Sequence, residues 1–328
     1  MPLFLEMVRQ VSQGDPALAH RALAGLEAYA DAPRPPRRAE RPAIATVSGA
    51  CLRDHGGSGA PVVLIPSLIN PPGILDLDDE TSLAGALAGE ERQLLSIDWG
   101  PASERAELDV GGHVEMLFLP LLDSLGEPAS VVGYCLGGTM ALAAASLAPV
   151  RRVATLAAPW HFARYQAESR AALARLWEQS RVAAAQLGAL PMEVLQAGFW
   201  ALDPERTVGK FAEFGELDPV SDEARRFIAL EDWANEGEPL PLPAARELFE
   251  GLYRDDLPGS GRWQVGGRPI AERPSVPALH LVAGKDRIVP AASAPEGKQV
   301  AIASGHVGMI VGRARTQLHG ALDGFLSH

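Results

Sequence analysis

The chain has 328 residues, 47% hydrophobic and 21% charged, which suits one large globular domain or a domain carrying an insertion. A formal net charge of −12 and a pI near 5.2 exclude the broad basic face that nucleic acid or an anionic membrane would attract. Two cysteines, Cys51 and Cys135, are too few for a disulfide framework, so reduced thiols and a cytoplasmic location are expected.

The N-terminal "MPLFLEMVRQVSQGD" is amphipathic, but it lacks the basic start, long apolar run and small-residue cleavage site of a signal peptide. No segment approaches the ~20 uninterrupted apolar residues of a membrane helix. Residues 2–31 read as one or two helices, and the proline-rich "PRPPRRAER", Pro33 to Arg41, reads as an extended linker rather than a basic binding patch. "AIATVSGACLR" reads as a first strand, and "HGGSG" after Asp54 as a hairpin turn. "PVVLIPS" and "RQLLSIDW" read as buried strands with the helix "TSLAGALAG" between them, followed by the helical "VGGHVEMLFLPLLDSLG". "ASVVG" and "RRVATLAAP" are the next strands. From Trp160 to Asp256 the periodicity is helical; strands then resume in "PALHLVAGKD" and "KQVAIASGH", and "GRARTQLHGALDGFL" closes the chain as a helix.

This alternation predicts an α/β fold with a mostly parallel sheet and helices on both faces. The predicted divisions are an N-terminal helical segment and linker (1–42), a first part of the core (43–159), a helical cap insertion (160–256) and a second part of the core (257–328).

"GYCLGG" has the glycine–any–nucleophile–any–glycine form of a nucleophile elbow, with Gly133 and Gly137 where the turn packs against its neighbours. Cys135 is then expected at a helix N-terminus, where amides and dipole favour a thiolate, with the Leu136 amide as one oxyanion donor. The plain alternative is a buried structural cysteine in a glycine-rich turn. On such a fold the nucleophile precedes the acid and the acid precedes the histidine. "LHLVAGKDRIVP" offers Asp286 after a late strand and "VAIASGHVG" offers His306 after the next. The other histidines fall in helices, in a strand, at the terminus or on loops outside that order. A second oxyanion donor is expected in the loop after "PVVLIPS", near Ser67 to Ile69, with Leu68 the residue of choice. No Cys/His cluster has metal-ligand spacing, and neither a metal nor an organic cofactor is expected. "HGG" resembles the oxyanion motif of some esterases but precedes the strand instead of following it.

With these residues in place, the chain resembles the polyhydroxyalkanoate synthases, most closely the short class III and IV catalytic subunits, from about Val62 to the C-terminus. The resemblance rests on "LIPSLINPPGILDL", "SIDW", the box "GYCLGGT", "DRIVP" and "SGHVGMIV". It implies an α/β-hydrolase fold in which Cys135 carries the acyl chain, assisted by Asp286 and His306, with Ile69 and Trp233 against the substrate. It implies an acyl-CoA substrate and a polyester product or granule surface, and leaves room for an accessory synthase subunit and a homodimer. Neither a nucleic-acid partner nor a membrane span is expected. The chain departs from the family where Trp-Asn-x-Asp becomes "WANEGEPLP", with Ala234 and Glu236, and where Arg287 replaces a histidine after the acid. Three functions follow: an acyltransferase making polyester from hydroxyacyl-CoA; a cysteine-nucleophile hydrolase such as a thioesterase, an esterase or an intracellular polyester depolymerase; and a non-catalytic subunit, for which a triad residue should be missing.

Overall fold

A computed structural model describes residues 2–34 and 38–327. The linker expected over Pro33–Arg41 falls partly on 35–37, outside the described residues, as does His328. The described chain forms two compact units, one within Met1–Ala39 and Glu193–Glu236, the other within Glu40–Met192 and Gly237–His328.

The larger unit is built on an eight-stranded sheet of β1 (Ala43–Val47), β2 (Ala50–Gly57), β3 (Ala60–Ile65), β4 (Arg92–Asp98), β5 (Ser130–Tyr134), β6 (Arg152–Leu156), β7 (Ala278–Ala283) and β8 (Gln299–Ile302). Their spatial order is β1-β2-β4-β3-β5-β6-β7-β8. Only the β1/β2 and β2/β4 pairs are antiparallel, and the remaining five run parallel. Parallel strands covered on both faces must be apolar throughout; Val62 to Ile65 and Val131 to Val132 are accordingly buried without alternation. The helix after β5 (Leu136–Leu147) is buried from Leu136 to Ala145, so it runs through the core instead of along the surface. The predicted α/β architecture is what the chain adopts.

Two local expectations are overturned. "AIATVSGACLR" is not one strand but the β1/β2 hairpin, because Ser48 (φ 43°) and Gly49 (φ 79°) both take the left-handed conformation of a tight two-residue turn. "HGGSG" is not a hairpin turn: β2 and β3 flank β4 and do not pair. The chain must pass the start of β4 at close range, and Cβ atoms at Gly57 and Gly59 would overlap the Arg92 and Glu91 backbone.

The region 160–256 is chiefly helical, and the sole strand pairing among its described residues joins Ala189–Leu190 to Leu240–Pro241. Its middle, Glu193–Glu236, belongs to the smaller unit. There, helices α1 (Pro2–Val11) and α2 (Pro16–Asp31) pack with α3 (Pro204–Phe214) and α4 (Asp222–Asn235) around Phe4, Val8, Ala22, Val208 and Phe211. Gly25 allows the close α2/α3 crossing, since a Cβ would overlap the Phe211 carbonyl.

Candidate active site

The chain leaves β5 at Tyr134, turns at Cys135 and enters the helix at Leu136. Cys135 has φ 55° and ψ −128°, a conformation that costs a non-glycine residue about 1–3 kcal/mol and persists only where surroundings enforce it. Two hydrogen bonds do so: Cys135 N donates to Leu156 O at 2.9 Å, and Gly138 N donates to Cys135 O at 2.9 Å. The glycines are steric necessities. A Cβ at Gly133 would lie 2.5 Å from Gly138 Cα, one at Gly137 would lie 2.6 Å from the Pro66 carbonyl oxygen, and one at Gly138 would overlap Ala158. Cys135 is partly exposed while Tyr134 and Leu136 are buried, so the turn presents the thiol outward at the amino end of a helix.

Asp286 follows β7 and His306 follows β8, at the same end of neighbouring parallel strands. The Asp286 side chain is fully buried. One carboxylate oxygen accepts from the amides of Ile288 at 2.8 Å and Val289 at 2.9 Å, and the other lies 2.6 Å from His306 Nδ1. This pairing directs Nδ1–H to the acid and leaves Nε2 for another partner. The charge of Cys135 acts on the same ring. Burial pulls the His306 pKa down, but the charge on Cys135 and the bond to Asp286 outweigh it and push it up to about 10. The Tyr134 ring lies 5.0 Å from the imidazole, and its hydroxyl donates to the His306 carbonyl at 3.4 Å.

The structure therefore brings together three residues expected from sequence: Cys135, Asp286 and His306. Leu136 opens the helix beside the thiol. Leu68 and Ile69 lie in the loop after β3, whose Pro66 and Ile65 carbonyls abut Gly137; the Ile69 amide is taken by Ser67 Oγ at 3.3 Å. Trp233 is carried by α4 in the smaller unit.

The earlier aspartates are otherwise engaged. Asp98 pairs with Arg53 at 2.9 Å, Asp78 accepts from the Glu80 and Thr81 amides, and Asp76 accepts from Ser82 Oγ at 2.6 Å. Asp76 also stands 3.3 Å from His55, whose Nε2 is 2.8 Å from Ser96 Oγ. That set has the residue types of a triad, but Ser96 is buried within β4 and Arg41 also holds Asp76 at 3.0 Å, so it is a structural network. The site has members the sequence did not single out. Tyr165 and Tyr253 both feel the charge of Cys135, yet Tyr165 follows the short turn Phe162–Arg164 and Tyr253 lies in the helical run Glu247–Arg254, with no motif around either.

A sheet of this order, with an elbow after β5 and an acid and a histidine after β7 and β8, is the α/β-hydrolase fold. The chain superposes on a hydrolase from Pseudomonas aeruginosa with a TM-score of 0.57 at 19% identity, covering 88% of this chain and 98% of that one. In sequence it is 26% identical over 275 residues to the poly(3-hydroxyalkanoate) polymerase subunit PhaC of Haloferax mediterranei, and 24% identical over 290 residues to the subunit of that name from Allochromatium vinosum. These alignments take in 76% and 81% of this chain, and 55% and 80% of the respective relatives; the chain thus spans little more than half of the first relative. No protein-family model matches the chain. Among the described residues no helix is long and apolar enough to cross a membrane.

Proposed function

We propose that the chain is an acyltransferase of the polyhydroxyalkanoate synthase type, moving 3-hydroxyacyl groups from coenzyme A through a thioester on Cys135 to a hydroxyl acceptor. The observation that carries this reading is a cysteine, not a serine, at the elbow, backed by a histidine 2.6 Å from a buried aspartate in a chain related to polyester polymerase subunits.

The Cys135 thiolate attacks the thioester carbonyl carbon, the carbon–sulfur bond to coenzyme A breaks, and the departing thiolate takes the proton from His306. Exchange of one thioester for another is nearly balanced in energy, and the acyl group stays activated toward an alcohol; a serine ester would surrender that activation. In the second half, neutral His306 takes the proton of the incoming hydroxyl, its oxygen attacks the acyl carbon, and Cys135 leaves as thiolate. Asp286 holds the imidazole in the required tautomer. The charge on Cys135 that keeps His306 protonated disappears on acylation, so burial lowers the imidazole pKa at the moment a base is needed. The Leu136 and Leu68 amides serve as oxyanion donors, Ile69 and Trp233 as acyl-chain contacts, and the helices of 160–256 as the part of the chain that excludes water. An accessory subunit and a second copy of the chain belong to the same reading.

Supplying 3-hydroxybutyryl-CoA and analysing products by mass spectrometry tests it. Ester-linked oligomers, with the protein alone or with a partner protein from the same source, are the expected result. Free 3-hydroxybutyrate in stoichiometric yield with CoA under both conditions would assign the site to a cysteine hydrolase.

A further inference from the structure

Beyond β6, whose last residue Leu156 accepts from Cys135 N at 2.9 Å, stands an aromatic wall from two separate segments. Phe162 and Tyr165 come from the stretch after β6, and Tyr253 from the helical run Glu247–Arg254. Phe162 stacks on Tyr165 with centroids 6.0 Å apart, and Tyr253 meets both edge-on, at 5.0 Å from Phe162 and 5.3 Å from Tyr165. The backbone beneath is tied down: Trp160 N and His161 N donate to Ser293 O at 2.7 and 2.9 Å, and Phe162 N donates to Asp256 Oδ1 at 2.8 Å. Aromatic contact and these bonds fix where the two phenol oxygens stand.

The Tyr165 hydroxyl is the anomaly. Its residue is 6% exposed, and the oxygen is enclosed without a hydrogen bond of acceptable geometry, although Tyr253 and Ser293 are close. Ser293 Oγ has already donated its proton to Pro290 O at 2.7 Å. Buried hydroxyls are ordinarily paired, and one left vacant calls for an outside partner. Tyr253, by contrast, is only partly buried. Burial first, then the neighbouring phenol and Cys135, hold the Tyr165 proton on; burial first and then Cys135 do the same for Tyr253. Both are therefore donors at any working pH. A pocket for a plain fatty acyl chain would gain nothing from two phenol donors, and one of them unpaired would oppose such a ligand.

We propose that the hydroxyls of Tyr165 and Tyr253 form a subsite for the oxygen on the third carbon of the acyl group held by Cys135. The site thereby selects 3-oxygenated acyl groups over unsubstituted ones. This deepens the acyltransferase reading and rests on its acyl-Cys135 intermediate. The oxygen, three bonds from the carbonyl carbon, is a hydroxyl in the first acyl unit and an ester oxygen in a growing chain; either accepts from a phenol.

The test uses acylation of Cys135 by 4-nitrophenyl 3-hydroxybutyrate and by 4-nitrophenyl butyrate, followed by the nitrophenolate burst and by intact mass, so that coenzyme A and polymer formation are not involved. Wild type should favour the hydroxylated ester roughly tenfold, and Y165F should cut that ratio roughly three- to tenfold, the worth of one neutral hydrogen bond. Y253F should move it the same way, and it carries the test if Y165F does not fold. Y165F should melt no lower than wild type, because the lost hydroxyl has no partner in the free protein. The subsite is overturned if wild type treats the two esters alike, if neither variant changes the ratio, or if Y165F melts clearly lower. A wild type that keeps the preference but makes no polymer counts against the synthase reading alone. One that neither ester acylates at Cys135 ends both.

Discussion

His306 shows how a single side chain is set by opposing influences. Burial alone would leave it neutral, whereas the Cys135 charge and the Asp286 carboxylate raise its pKa to about 10. Removing the sulfur charge should reverse the balance. Brief iodoacetamide treatment should modify Cys135 and spare Cys51, which is buried in β2 and whose thiol burial pushes up. In the alkylated protein an NMR titration should place the His306 pKa well below its value in the free protein; an unchanged value would break the proposed coupling. Asp286 acts on the same ring through the 2.6 Å contact. Asp286→Asn should preserve the fold and reduce turnover on the order of 10³- to 10⁴-fold, because the amide favours the wrong tautomer. Full activity in that variant, with loss in Asp98→Asn, would move the acid elsewhere.

At the scale of elements, the elbow works because β5, its helix and the loop after β3 approach more closely than side chains allow. Gly137 faces the Ile65 and Pro66 carbonyls, which are backbone and cannot rotate away. Gly137→Ala should therefore cost about 1–3 kcal/mol or more, read as a lower denaturation midpoint at unchanged slope. Gly320 gives the contrast: it is exposed in the helix Arg315–Leu326, and nothing lies within 4 Å of its missing Cβ. Gly320→Ala should stabilise by about 0.5–1 kcal/mol. Equal effects at the two positions would remove the steric account of the elbow.

Across the whole molecule, two buried histidines set the acid limit. His113 lies between the Asp109 carbonyl at 2.6 Å and the Arg105 guanidinium at 3.1 Å, and His280 is bonded to Thr155 at 2.9 Å inside β7. Burial above all lowers each to a pKa of about 4. Their unfolded counterparts protonate near 6.5, so the stability they contribute is present above pH 6.5 and is lost as pH falls toward 4. The loss is on the order of 3 kcal/mol each, a large share of an ordinary domain's ~5–15 kcal/mol. His306 does not offset it, since its raised pKa contributes fully below pH 6.5 and is lost only as pH rises through about 10. Urea denaturation at pH 7 and pH 4.5 should show a marked fall in midpoint; equal midpoints would contradict neutral burial of these rings.

What the sequence determined by itself was local or ordered along the chain. The glycine pattern around Cys135, the apolar strand runs and the succession Cys135, Asp286, His306 each depend on residues within one element or on chain order, and so the α/β architecture and the candidate triad were legible. Even there, the two-residue turn at Ser48–Gly49 was read through as strand, because the hydropathy pattern of the flanking residues does not report backbone handedness. The tertiary structure alone decided which distant segments meet. It put α1 and α2 with α3 and α4 around Phe4 and Phe211, sent the chain past β4 at Gly57–Gly59, and brought Tyr165 against Tyr253. Such meetings depend on the packing of complementary apolar faces across long loops, and neither composition nor spacing encodes which face finds which.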